Sequence, residues 1–173
     1  MKKSAALLGF LILAVVLSGV LVRVRAQTPA ASDKADIEAL ITNYSDSFNS
    51  RSVDGIMSCY ARGKGLFVFD AIPPREYPSW DAYKRDWEGL LSAFPGPAKT
   101  TVSDIDITVV GSVAYGHDIQ SSTFTRKDGS TLNAVVRVTD VFRKIKGKWL
   151  IVQEHVSFPV DLETGKADLL STP

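Results

Sequence analysis

The sequence predicts an α+β fold, a cone-shaped, curved antiparallel sheet wrapped around three N-terminal helices. Three observations predict it. Apolar residues recur at helical spacing through the first part of the chain, and turn-bounded β runs fill the rest. The last two runs, Asn133–Arg143 and Trp149–Phe158, are dense in Val, Ile, Phe and Trp and flank a Lys-Gly turn. Their arms of roughly ten residues exceed the usual five or six, so the sheet must curl around the helices. A curled sheet leaves an open end, which is a natural pocket.

The chain has 173 residues and a formal net charge of +1. No basic excess suggests nucleic acid and no acidic run suggests a tail. The single cysteine, Cys59, excludes an internal disulfide framework and reads as a buried, inert thiol.

Lys2-Lys3, an apolar run from Ala5 to Val22 and the small-residue site Val24-Arg25-Ala26 form the pattern of a secretory signal, cut after Ala26. The apolar run also reaches the ~18 residues of a membrane-span candidate, so an uncleaved anchor is the alternative. Either way the folded part is expected to be exported, periplasmic or secreted. Residues 27–32 read as a short linker, residues 33–160 as one domain, and residues 161–173 as a loose polar tail.

The first helix starts at Ser32 or Asp33, either a good N-cap, and carries Ile37, Leu40, Ile41, Tyr44 and Phe48 on one stripe. A second helix is expected from about Ser52 to Ala61. Leu66–Phe69 is a short strand ending at Asp70, and the three prolines of Ala71–Pro78 make a rigid loop. Ser79 caps a third helix, Trp80–Phe94, stopped by Pro95-Gly96-Pro97. Strands follow at Val102–Val110 and Ala114–Thr125, then the closing hairpin.

If the Lys146-Gly147 turn is a type I turn with a Gly bulge, Lys144 pairs with Lys148 and Asp140 faces Val152. Val136, Val138, Asp140, Phe142, Leu150, Val152, Glu154 and Val156 then share one face, joined by Asp118 and Gln120. A two-residue turn would shift the register by one and regroup them. This face is taken as the pocket face. His117 and His155 fall on the opposite face with Arg137, Thr139 and Gln153, about 10 Å apart by strand spacing, too far to chelate one metal. That polar patch suits a dimer interface.

Three stretches carry a family resemblance: IEALITNYSDSFNSRSVDGIMSCYA, FVFDAIPPREY with YKRDW after it, and RVTDVFRKIKGKWLIVQEHVSFP. They resemble the SnoaL-like, ketosteroid-isomerase-like branch of the nuclear transport factor 2-like superfamily. The resemblance covers about residues 33–160 and implies a cystatin-like roll, often a homodimer. It implies no single chemistry, because the fold hosts isomerases, cyclases, dehydratases and non-catalytic members. Ketosteroid isomerases offer a sharper match. Tyr44 stands sixteen residues before Tyr60-Ala61, as in those enzymes, and Asp70 follows at the end of a short strand, two residues later than theirs. Asp140-Val141-Phe142-Arg143 matches their second oxyanion-hole segment, one residue closer to the turn. The resemblance therefore implies Asp70 as general base and Tyr44 with a neutral Asp140 as oxyanion donors.

Each residue also has a plainer reading. Asp140 can accept hydrogen bonds and order the core, and Asp70 can brace the proline loop through an Asx-turn. Trp80, Tyr83 and Trp87 form an aromatic helical stripe that defaults to core, although Trp87 or Tyr83 could wall the pocket. The expected ligand-binding set is Tyr44, Phe67, Trp87, Gln120, Val138, Asp140, Val152 and Glu154. The sequence thus points to an exported module binding a small, mostly apolar ligand, with no cofactor or metal and as a homodimer. Its alternatives are proton transfer next to a carbonyl in the same cavity, or a dimerisation domain with a filled cavity. Membrane contact is expected only if the N-terminal segment stays uncleaved.

Overall fold

A computed structural model describes residues 29–171. The signal or anchor segment expected over residues 1–26 lies outside them, and among the described residues no helix is long and apolar enough to cross a membrane. The elements are α1 (Pro29–Asn49), α2 (Val53–Met57), β1 (Phe67–Phe69), α3 (Trp80–Ala93), β2 (Ala98–Val110), β3 (Val113–Thr125), β4 (Thr131–Ile145) and β5 (Lys148–Ser157). The five strands form one sheet in the order β1-β5-β4-β3-β2. β1 runs parallel to β5, and every other pair is antiparallel.

α1 begins at Pro29, ahead of the expected Ser32 or Asp33 cap. Proline is preorganised for the first helical turn, and Ala30-Ala31 continue it without strain. Asp33 is tied instead to the far hairpin: its Oδ1 accepts from Lys144 Nζ and, at 3.0 Å, from Trp149 Nε1. Ser52 and Ser79 cap α2 and α3, their hydroxyls accepting from Gly55 N and Ala82 N. α2 is shorter than expected. The chain leaves the helix because Cys59 O and Ala61 N pair with Ile151 of β5, at 2.9 and 2.8 Å. Arg51, itself at φ 60, closes the end of α3 by donating to the carbonyls of Leu91, Phe94 and Gly96.

The closing hairpin departs from the expected register. Lys146 and Gly147 both take positive φ, 50° and 81°, so the turn has two residues and pairs Ile145 with Lys148. A bulge between Val141 and Phe142 leaves Val152 as the extra residue of β5. Leu150 therefore pairs with Arg143, and Trp149, Ile151 and Glu154 turn inward. Past the bulge, Asp140 faces Glu154 and not Val152. The tail, expected to be loose, returns on itself: Val160 bridges Ala167, and Val135 N donates to Leu169 O at 2.7 Å. Asp161 and Asp168 side chains hold its turns.

The core lies between the helices and the inner face of the sheet. Ile37, Ile41, Tyr44 and Phe48 of α1 are buried, as the stripe requires. Phe48 meets Trp87 and Phe124 edge-on, at ring-centroid distances of 5.7 and 5.4 Å.

Candidate functional site

Three elements deliver the polar groups of the interior. β1 buries Val68 and leaves Asp70 at its exit, where the half-buried carboxyl accepts Ala71 N through Oδ1 at 2.6 Å. α3 brings Tyr83, 1% exposed, across from it. β5 brings Glu154, 3% exposed, inward because the hairpin bulge restores its phase. The Tyr83 hydroxyl lies 3.1 Å from Asp70 Oδ2 and 2.9 Å from Glu154 Oε1. The Tyr60 hydroxyl donates to the other oxygen of Glu154, at 2.8 Å. Tyr60 and Tyr83 also pack edge-on, so the two phenols reach Glu154 side by side.

Asp70, Tyr83 and Glu154 border a cavity of about 140 Å³. Asp70, Tyr83, Asp86, Gln120, Ser122 and Glu154 form its polar part. Tyr44, Phe48, Trp87, Phe124, Val136 and Phe158 are among its apolar walls. An engineered apolar cavity of about 150 Å³ holds benzene, so the enclosed part has room for about one ring. Behind it a chamber of about 10 Å³, close to the space of one water, is bordered by Tyr44, Asp118, Gln120, Asp140 and Glu154. On the other side of the Asp70 loop, Asp70 also borders an open surface groove with Arg75 and His155.

The carboxyls form a ladder across three strands. Asp118 on β3, Asp140 on β4 and Glu154 on β5 are 3%, 4% and 3% exposed. Asp118 Oδ1 and Asp140 Oδ1 are buried without a hydrogen-bond partner among the described residues. Burial pushes Glu154 up to about 7, against the hydrogen bonds from Tyr60 and Tyr83 that favour its charged form. Burial likewise pushes Asp118 up to about 6. It pushes Asp140 well above the carboxylate range, helped by the adjacent charges of Glu154 and Asp118. Asp70 is raised by burial against its bonds to Tyr83 and Ala71. With no buried Lys or Arg among the described residues, a site with these acids cannot ionise fully at neutral pH. It therefore offers a proton donor and a proton acceptor at once.

The structure brings Tyr44, Asp70, Trp87, Gln120 and Glu154 to the main cavity. Asp140 borders only the small chamber behind Glu154, so of that facing pair it is Glu154 that reaches the cavity wall. Val152 is the bulge residue, Phe67 lies opposite Gln153 on the outer side, and Val138 is packed at 2% exposure; none of the three lines either space. Tyr83 was open to reading as core or wall, and it is the hub of the site. Its contact with both acids depends on which way α3 faces, which an aromatic stripe does not reveal. His117 and His155 are exposed and pair with Thr139 from either side. Among the described residues no group of three or more His, Cys, Asp or Glu could hold a metal ion.

Residues 37–161 match the family model described as a SnoaL-like domain. No curated protein matches the chain. Among solved structures, an NTF2-like protein of unknown function from Pseudomonas putida KT2440 is 26% identical, with 82% of this chain and 97% of that one covered at a TM-score of 0.73. A protein from Novosphingobium aromaticivorans, provisionally named a scytalone dehydratase, is 17% identical over 82% and 95% of the two chains, at 0.65. An NTF2-like protein from Streptomyces avermitilis, provisionally named a dehydratase, is 12% identical over 74% and 97%, at 0.66. Likeness at the last two levels shows the fold.

Proposed function

The chain belongs to the SnoaL-like family, and from that premise we propose that its cavity binds a small, mostly apolar ligand of about one ring and moves a proton next to a carbonyl. The observation that carries this reading is the placement of two carboxyls, Asp70 and Glu154, on one apolar cavity and on one tyrosine. Asp70, at the solvent end, serves as base. Glu154, buried and raised to about 7, serves as acid. Tyr44 and Gln120 line the same space and orient the ligand's oxygen. Acid and base on one cavity fit allylic isomerisation of a ketone, and equally loss of water from a β-hydroxy ketone. The dehydratase names of two structural relatives favour the second. Four fused rings exceed the enclosed space, which argues against a steroid as the whole ligand.

The test is a panel of one-ring ketones and β-hydroxy ketones in D2O. Exchange of the α-proton, isomerisation and loss of water are followed by NMR for the wild type and Asp70→Asn. Exchange by the wild type that the variant loses supports the reading. A panel that binds but never exchanges overturns it in favour of a binding module. That second reading has its own support, since Asp70 also braces the loop through Ala71 N. Export by the leading segment, and a homodimer through the outer sheet face where Tyr115 is 56% exposed, belong to the same proposal.

A further inference from the structure

We infer that Tyr83 is a proton relay that holds one proton in common between Asp70 and Glu154 and resets them after each turnover. The inference rests on the acid–base reading above for its role, but its physical basis stands in the ligand-free protein.

A tyrosine hydroxyl has one hydrogen and two lone pairs. Tyr83 Oη is within hydrogen-bond distance of both Asp70 Oδ2 and Glu154 Oε1. It can donate to only one. If both carboxyls were charged, the other oxygen would face a lone pair in a buried site. A second hydrogen bond therefore requires a proton on one of the carboxyls. Two arrangements satisfy both Tyr83 contacts. In the first, Asp70 is charged, Tyr83 donates to it, and protonated Glu154 donates to Tyr83. In the second, Glu154 is charged and accepts from both Tyr60 and Tyr83, and protonated Asp70 donates to Tyr83. The two interconvert when two protons each move along one hydrogen bond.

This geometry supplies what the cavity lacks. Glu154 is 3% exposed, and its way to solvent runs through the cavity that the ligand occupies. Asp70 borders both the cavity and the open groove carrying Arg75 and His155. In a dehydration, Asp70 takes the proton from carbon and the C–H electron pair becomes the new double bond. The C–O bond breaks, and its oxygen leaves as water with the proton from Glu154. The proton on Asp70 then passes to Tyr83 Oη while the Tyr83 proton passes to Glu154 Oε1. Protons and electrons balance with no further reactant.

The experiment follows the side-chain carboxyl carbons of Asp70 and Glu154 by NMR against pH, in the wild-type mature domain, Asp70→Asn and Tyr83→Phe. The relay predicts that both wild-type carboxyls show two shared titration steps and that one proton remains on the pair at pH 7. In Asp70→Asn the amide can donate to Tyr83 Oη, so the Glu154 midpoint should fall by at least tenfold in proton affinity. In Tyr83→Phe the steps that Asp70 shares with Glu154 should disappear, while Glu154 keeps its coupling to Asp140, which faces it across the strand pair. Independent single-step titrations in the wild type, or a Glu154 midpoint unmoved in Asp70→Asn, overturn the relay even if Tyr83→Phe fails to fold. None of these readouts needs a substrate. A relay that passes while the ketone panel stays silent leaves the relay standing and removes only the catalytic reading.

Discussion

Asp140 on β4 lies directly across from Glu154 on β5, and both carboxyls are buried to within 4% of full enclosure. Opposed strand residues bring their side chains within about 5 Å, so two acids there cannot both be charged cheaply. At least one keeps its proton at neutral pH. Burial first, and this pairing with it, makes the interior resist ionisation, with a direct consequence for stability.

The folded-state midpoints of Glu154, Asp118 and Asp140 all lie above their unfolded values. A raised carboxyl binds its proton more tightly when folded. Its stabilisation is complete below the unfolded midpoint, near pH 4, and is lost as pH rises through the folded one, near 6 for Asp118 and 7 for Glu154. The domain should therefore be more stable at pH 5 than at pH 8, by on the order of 2 kcal/mol or roughly 5–10 °C in Tm. Thermal melts across that range check it, and a flat or rising profile contradicts it.

Asp140→Asn isolates the pair. The amide needs no proton to stay neutral and can donate to Glu154, whereas Asp140 Oδ1 has no hydrogen-bond partner to lose. The variant should gain about 1 kcal/mol at pH 8 and show a shallower slope between pH 5 and 8. Denaturant titrations at the two pH values decide. A loss of about 3 kcal/mol would mean that Asp140 is a charged, paired group.

Cavity filling tests the ligand site without touching its acids. Ala134 of β4 lines the cavity and is half-buried. Ala134→Leu should place its added carbons in open space at a stability change below about 1 kcal/mol, well under the 1–3 kcal/mol of true overpacking. It should also weaken binding of any one-ring ketone at least tenfold. Trp87 lines the same cavity, so its fluorescence reports the titration. Unchanged affinity would place the ligand elsewhere.

How much of this was legible in the sequence follows from which interactions are local. The stripe Ile37, Ile41, Tyr44, Phe48 and the Ser79 cap are short-range patterns, and each is where its spacing puts it. Asp70 could be placed at a strand end because the strand and the prolines adjoin it. The partner of Asp140 could not. It depends on a turn of two residues and on a bulge that inserts Val152, and either alone would move Glu154 to the other face. Tyr83 was harder still, since its two contacts span 13 and 71 residues of sequence. An i, i+3, i+4 stripe says which residues face inward, but not which acids they meet.

Two glycines give opposite signs in one experiment. Gly116 of β3 is buried opposite Asp140, beside the bulge between Ser103 and Asp106 of β2. A Cβ there would lie 2.7 Å from the Asp106 carbonyl oxygen and 3.2 Å from Ile107 Cγ1. The near atom is backbone within a paired strand, so the strand itself must shift. Gly116→Ala should cost about 1–3 kcal/mol and loosen the register that sets Asp140 against Glu154. Gly89 of α3 is exposed with nothing within 4 Å of a built Cβ. Gly89→Ala should instead gain roughly 0.5–1 kcal/mol from reduced freedom of the unfolded chain and better helix propensity. Denaturant midpoints of the two variants are expected to fall on opposite sides of the wild type. If Gly116→Ala is neutral, β2 is not held against β3 at this point, and the bulge is free to absorb a methyl group.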